Sequence, residues 1–187
     1  LWIGRPVEWP GSRPLDCEPE LGPDFGGLVE WPLSHVVKAL CFCHPDDAPE
    51  MQAAQEDTVQ RLYQACRRNR LEMLLEIIPS KAGPVTDDTS ARVIQRFYDI
   101  GIYPDWWKLE PFKSNAAWTA ACDTIAANDP HVRGIVVLGL EASTEDLAAS
   151  FAMARKHDLV KGFAVGRTIF THAAQAWFAG KMSDADA

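Results

Sequence analysis

Trp106-Trp107-Lys108-Leu109-Glu110-Pro111 is a short apolar run with a lysine at its centre and a proline at its end. Between Trp107 and Leu109, an ammonium is costly to bury. Either the Lys108 head reaches water or a neighbouring group lowers its pKa. A lysine of lowered pKa is a candidate Schiff-base nucleophile.

Moving outward, the same pattern recurs along the chain. Residues 1–8 read as a short strand ending at Pro6, and residues 35–43 as a buried strand stopped by Pro45-Asp46-Asp47. Residues 71–78 form an apolar run around Glu76, and 132–140 and 162–165 complete the series. Helical spacing lies between the strands. Val59, Leu62, Tyr63 and Cys66 fall at i, i+3, i+4 and i+7 within 49–69. Ser90 is the expected cap of a helix bearing Val93, Ile94 and Phe97, a further helix spans 115–128, and Ser143 or Thr144 caps the next. Residues 9–32 are a long loop rich in proline and glycine.

Strands alternating with helices imply βαβ units and a parallel sheet. Apolar runs without alternation imply strands covered on both faces. A doubly wound sheet competes with a (β/α)8 barrel, but no GxGxxG follows any strand. Six βα units can be counted in the 187 residues, whereas a full barrel needs about 250 residues. The expected fold is therefore a single α/β domain over residues 1–187, a TIM barrel incomplete by about two units at its N-terminal end.

Composition sets the outer limits. Hydrophobic residues make up 47% and charged residues 24%, ordinary for a globular chain. The net charge of -8 argues against a nucleic-acid partner. No apolar run reaches the length of a membrane span. Five cysteines without framework spacing read as reduced thiols, which favours a cytoplasmic protein. A homo-oligomer is compatible with all of this.

Three apolar strands each carry one ionisable residue: Lys38, Glu76 and Lys108. Glu76 precedes Ile77-Ile78-Pro79 and Lys108 precedes Leu109-Glu110-Pro111, so both lie near strand ends, where barrel enzymes place their chemistry. Consecutive strands are usually neighbours, so the three should converge. Two lysines and a carboxylate in an apolar wall shift each other's pKa values, with Lys38 favouring neutral Lys108 and Glu76 moving protons. The alternative is a set of buried ion pairs, or side chains whose heads reach solvent. Perturbed groups cluster at functional sites, which favours the chemical reading for three such residues together.

Gly166-Arg167-Thr168 opens a helix after the last strand, and free backbone N–H groups there suit a phosphate. Arg167 can add a bidentate contact. The loop Gly139-Leu140-Glu141-Ala142-Ser143 is the neighbouring phosphate candidate. His44-Pro45-Asp46-Asp47 and the Cys41–Cys43 pair offer metal-ligand types, but no converging set is evident. His44 reads better as a polar residue at a loop end near the site.

These stretches together resemble the class I aldolases of the tagatose-1,6-bisphosphate aldolase group. The resemblance is stronger to the aldolase-like C-terminal domain of bifunctional myo-inositol-catabolism proteins, where a 5-dehydro-2-deoxygluconokinase precedes the aldolase-like part. It rests on Ile3-Gly4-Arg5-Pro6-Val7-Glu8, Pro10 to Pro14, His35 to Lys38, His44 to Asp47, Leu74 to Pro79, Trp107 to Pro111 and Gly166 to Thr168. It implies a TIM barrel with Lys108 as Schiff-base lysine, Glu76 as acid/base carboxylate and Lys38 as auxiliary lysine. Phosphate contacts come from Gly139 to Ser143 and from Gly166-Arg167, and Arg5 and Arg13 are assigned to a substrate carboxylate. Neither a metal nor another cofactor is implied. The implied substrate is 2-deoxy-5-keto-gluconate 6-phosphate, and the implied partner is a fused or associated sugar kinase. The first barrel strands, which carry an acidic active-site residue in this group, have no counterpart in the chain. A non-catalytic domain that binds a sugar phosphate or regulates a kinase is the alternative expectation.

Overall fold

A computed structural model of the chain describes residues 2–139 and 143–186, with the backbone alone for residues 167–169. Six parallel strands lie in sequence order: β1 (Ile3–Pro6), β2 (His35–Cys41), β3 (Glu72–Ile77), β4 (Trp106–Leu109), β5 (Gly134–Leu138) and β6 (Val160–Ala164). The crossovers from β2 onward are helical: α1 (Pro49–Asn69), α2 (Thr89–Asp99), α3 (Asn115–Asn128) and α4 (Thr144–Ala154), with α5 (Arg167–Phe178) following β6. The sheet curls into half a barrel. No helix among the described residues is long and apolar enough to cross a membrane.

Local signals account for most helix ends. Pro49 opens α1 and Arg70 closes it in the left-handed conformation, with Arg67 and Arg68 favourably placed in the last turn. Ser114 caps α3 by accepting from the Ala117 N–H, and Ser143 caps α4 by accepting from the Asp146 N–H. The expected Ser90 cap is a correction. The helix begins one residue earlier, Ser90 is buried inside its first turn, and Thr89 instead accepts from the Thr86 N–H at 2.8 Å. The connection from β1 to β2 contains no α-helix. Two 3-10 turns, Pro19–Leu21 and Gly26–Glu30, bury Leu21 and Leu28 in the main core. The 9–32 loop is thus an ordered cover standing where a crossover helix would be.

Strand alternation separates two faces. Val37, Ala39 and Cys41 of β2, Met73, Leu75 and Ile77 of β3, and Trp107 and Leu109 of β4 are all fully buried in the core against the helices. Trp107 donates from Nε1 to Tyr98 Oη at 2.9 Å and packs on Phe97. The intervening residues line the inner face of the curl. Trp106, on that face, meets the Trp2 ring edge-on and donates to Glu72 at 2.9 Å. The two tryptophans therefore divide between the layers.

Asp105 ties the N-terminal edge of the sheet together. It accepts from the Met73 N–H at 2.8 Å and pairs with Arg67 at the end of α1. Gly134, at the start of β5 with φ +146°, stands where a Cβ would come within 2.7 Å of the Leu159 carbonyl. From β6 onward the packing thins: Phe163, Phe170 and Phe178 are exposed.

Trp107→Ala should lower the unfolding free energy by about 3–5 kcal/mol, the cost of a large core cavity. Trp106→Ala on the half-open face should cost clearly less. Urea midpoints of the two variants against wild type decide it.

Candidate active site

Register brings the chemistry together. Glu76 is the direct cross-strand partner of Lys108, and Lys38 lies one layer lower on the other neighbouring strand, opposite Leu74. All three share the inner-face parity, so the apolar runs place them away from the helices. Lys108 Nζ is 2.9 Å from Glu76 Oε1, and Lys38 Nζ is 2.7 Å from Glu76 Oε2. Glu76 thus stands between the two ammonium groups. Its side chain is 5% exposed, while Lys38 and Lys108 keep 16% and 18%. The carboxylate is nearly dry, and both lysine side chains are partly exposed.

A fourth member went unread in the sequence. Glu8 pairs through Oε1 with Lys38 Nζ. It lies two residues beyond Pro6, whose register partner is Lys38, so it shares that parity. The order is Glu8, Lys38, Glu76, Lys108, with two charges of each sign. The signal was present in the continuation of the first strand as Val7-Glu8-Trp9, a carboxylate between apolar residues. Burial pulls the Lys38 pKa down, but Glu76 and then Glu8 outweigh it and hold the value above that of an ordinary lysine.

Glu110 is a further buried carboxylate on this side, two residues past Lys108. It accepts from Ser80, through the hydroxyl and through the backbone N–H at 3.3 Å. Burial raises its pKa above the usual carboxyl range, against the lowering effects of Ser80 and Lys81. It borders a cavity of about 420 Å³ with Ser80, Thr86 and Lys113.

The other expected residues divide. Arg5 is on the opposite parity, paired in register with Val37, and its guanidinium stacks 4.2 Å over the Trp31 ring. The structure does not bring it to the Glu76–Lys108 pair. Arg13 is held at the end of β2, donating to the Phe42 carbonyl at 2.9 Å and pairing with Asp47. Both ring nitrogens of His44 are engaged. Nε2 donates to the Pro84 carbonyl at 2.8 Å, and Nδ1 accepts from the Asp46 N–H at 3.2 Å. This joins the loop after β2 to the loop after β3, leaving no free nitrogen for a ligand. Among the described residues no cluster of three His, Cys, Asp or Glu side chains could hold a metal ion. Cys41 Sγ sits 3.1 Å from Gln55 Oε1.

Gly139 and Gly166 follow the adjacent strands β5 and β6. A Cβ at Gly139 would meet Val165 at 3.0 Å, and one at Gly166 would meet Phe170 at 3.0 Å. In both cases the neighbour is the end of a side chain, which would have to give by a few tenths of an ångström. Gly166 is the N-cap residue of α5, and among the described residues no side chain caps that helix, whereas the Ser143 hydroxyl is taken by its own helix. Residues 140–142 and the Arg167 side chain lie outside the described residues.

Fold and site together define a class: a curled parallel α/β half-barrel with an alternating lysine–carboxylate ladder on its inner face. The chain belongs to the bacterial family described as "uncharacterized protein conserved in bacteria (DUF2090)", whose model matches residues 1–187. No curated protein matches it. Among solved structures it is similar to Cgl0159 from Corynebacterium glutamicum (Brevibacterium flavum), with 16% identity and a TM-score of 0.65. The match covers 96% of this chain and 61% of that one, so the chain spans well under two thirds of that structure. At this identity the likeness concerns the fold alone.

The raised Lys38 pKa fixes a pH dependence. The stability that it contributes is complete below the unfolded lysine value of about 10.4 and is lost as pH rises through the folded value. The advantage of wild type over Lys38→Met in urea midpoint should therefore stay level up to about pH 10 and shrink as the pH is raised further. A constant difference across that range would contradict the assignment.

Proposed function

We propose that the chain is the catalytic part of a class I aldolase and that its six strands belong to an eight-stranded (β/α)8 barrel. One observation carries the reading: Lys108 Nζ lies 2.9 Å from Glu76 Oε1 on the neighbouring strand, a proton-transfer distance. The second Glu76 oxygen is held by Lys38, which fixes the direction of the first. The partly exposed side chains of both lysines leave room for a substrate at the inner face.

Glu76 takes a proton from the Lys108 ammonium. The neutral Nζ attacks the ketone carbon, and the carbinolamine loses water as Glu76 returns the proton to the departing hydroxyl. The resulting cationic imine is an electron sink. With 2-deoxy-5-keto-gluconate 6-phosphate, Glu76 then removes the proton of the third-carbon hydroxyl. The bond between the third and fourth carbons breaks into the imine, releasing malonate semialdehyde and leaving an enamine. Protonation of the enamine at carbon and hydrolysis release dihydroxyacetone phosphate and restore Lys108. Lys38 steadies Glu76 and binds a substrate oxygen as a cation. The start of α5 at Gly166, with Gly139 beside it, is the phosphate candidate. The particular sugar acid, and a sugar kinase as fused or associated partner, rest on the resemblance of the motifs.

A second reading draws on the same contacts. Both oxygens of Glu76 are already satisfied, as in a structural ion ladder, which fits a non-catalytic domain that binds a sugar phosphate or regulates a kinase.

Borohydride reduction with dihydroxyacetone phosphate, followed by peptide mass mapping, should attach a three-carbon phosphate to the Lys108 peptide. Glu76→Gln should slow the trapping by about 10²–10⁴-fold. Lys108→Arg should abolish it, while a sugar-phosphate-binding domain would keep its affinity. Absence of an adduct on that peptide in the full-length protein excludes the Schiff base.

A further inference from the structure

We infer that Glu8 is a positioning residue that keeps Lys38 cationic, so that Lys38 holds Glu76 for its work on Lys108. The part of this that concerns Lys108 rests on the Schiff-base reading above. The part that concerns Lys38 does not.

Three observations carry it. Glu8 is 9% exposed in its side chain and spends Oε1 on Lys38. Among the described residues, Oε2 is buried with no hydrogen-bond partner. A carboxylate kept only for structure would satisfy both oxygens, since an unpaired buried acceptor is costly. The backbone around it is independently fixed: the Val7 N–H donates to the Lys38 carbonyl at 3.0 Å, the Glu18 N–H donates to the Val7 carbonyl at 2.9 Å, and Glu8 bridges to Cys17. The side chain is thus not needed to close the loop.

The charge count gives the reason. Without Glu8, two lysines share one carboxylate, and each weakens the hold of the other on Glu76. With Glu8, each lysine has a carboxylate, and Lys38 remains charged while Glu76 exchanges protons with Lys108. The charged groups that face Lys38 are Glu8, from the continuation of β1, and Glu76, from β3. Lys108 on β4 lies beyond Glu76, and Glu72, lower on β3, is committed to Arg133 and Trp106.

Competitive acetylation across pH with peptide mass mapping reads the free amine of each lysine without any substrate. In wild type, Lys38 should label at higher pH than exposed Lys156. In Glu8→Gln its midpoint should fall by about one pH unit or more, and Glu8→Asp should restore most of the difference. Wild-type Lys38 labelling at or below the pH of Lys156 overturns the inference, even if Glu8→Gln does not fold. An unchanged midpoint in a folded Glu8→Gln overturns it as well. In borohydride trapping, the alkaline limb of the Lys108 rate profile should move down together with the Lys38 midpoint. A limb that stays fixed while the midpoint moves overturns the action on Lys108. Absence of any wild-type adduct defeats the Schiff-base reading instead and leaves the labelling result to decide the Glu8–Lys38 link.

Discussion

One carboxylate between two ammonium groups organises the inner face of this sheet. Glu76 can be nearly dry because Lys38 and Lys108 each satisfy one of its oxygens. The lysines in turn can sit in apolar strands because their heads meet that carboxylate at the mouth of the curl. Replacing one partner leaves an uncompensated charge in a confined place, which usually costs more than the pair contributes. The ladder is therefore best understood as a unit whose members satisfy one another's charge.

The rest of the fold serves to hold that unit still. On the helix side, Trp107 and Leu109 anchor the strand that carries Lys108, and Leu75 and Ile77 anchor the one that carries Glu76. At the N-terminal edge, Asp105 fastens the starts of β3 and β4 and the end of α1 through backbone and side-chain contacts. These contacts lie at the end opposite the one where catalytic groups of parallel barrels gather. The Asp105 anchor and the ion ladder thus lie at different heights along the same strands.

Much of this could be read from the sequence, because it depends on local pattern. Apolar runs interrupted by Lys38, Glu76 and Lys108 specify strands, and the order of the strands makes the three converge. What escaped depends on contacts between distant segments. The parity of Arg5 turns it toward Trp31, but residues 1–8 are too short a run for the sequence to fix that parity. Glu8 lies past the proline that ends β1, and only the register with Lys38 places its side chain on the inner face. His44 is engaged by Pro84, 40 positions later, and no spacing rule reports such a partner. Ser90 looked like a cap because it precedes an apolar stripe, but Thr89 and Thr86 pair first.

The ladder has a consequence for how the strands find their places. In a parallel sheet covered by helices on one side, moving a strand by one residue exchanges its two faces. For β4 that slip would push Lys108 into the layer now filled by Trp107 and would turn Trp107 toward the open curl. For β3 it would bury Glu76 against α1 and α2 with no cation within reach. Misaligned pairings are thus penalised twice, by a stranded charge and by a lost core residue. The charges of the ladder therefore act as alignment keys during assembly, since the native register gives Glu8, Lys38, Glu76 and Lys108 each an oppositely charged partner.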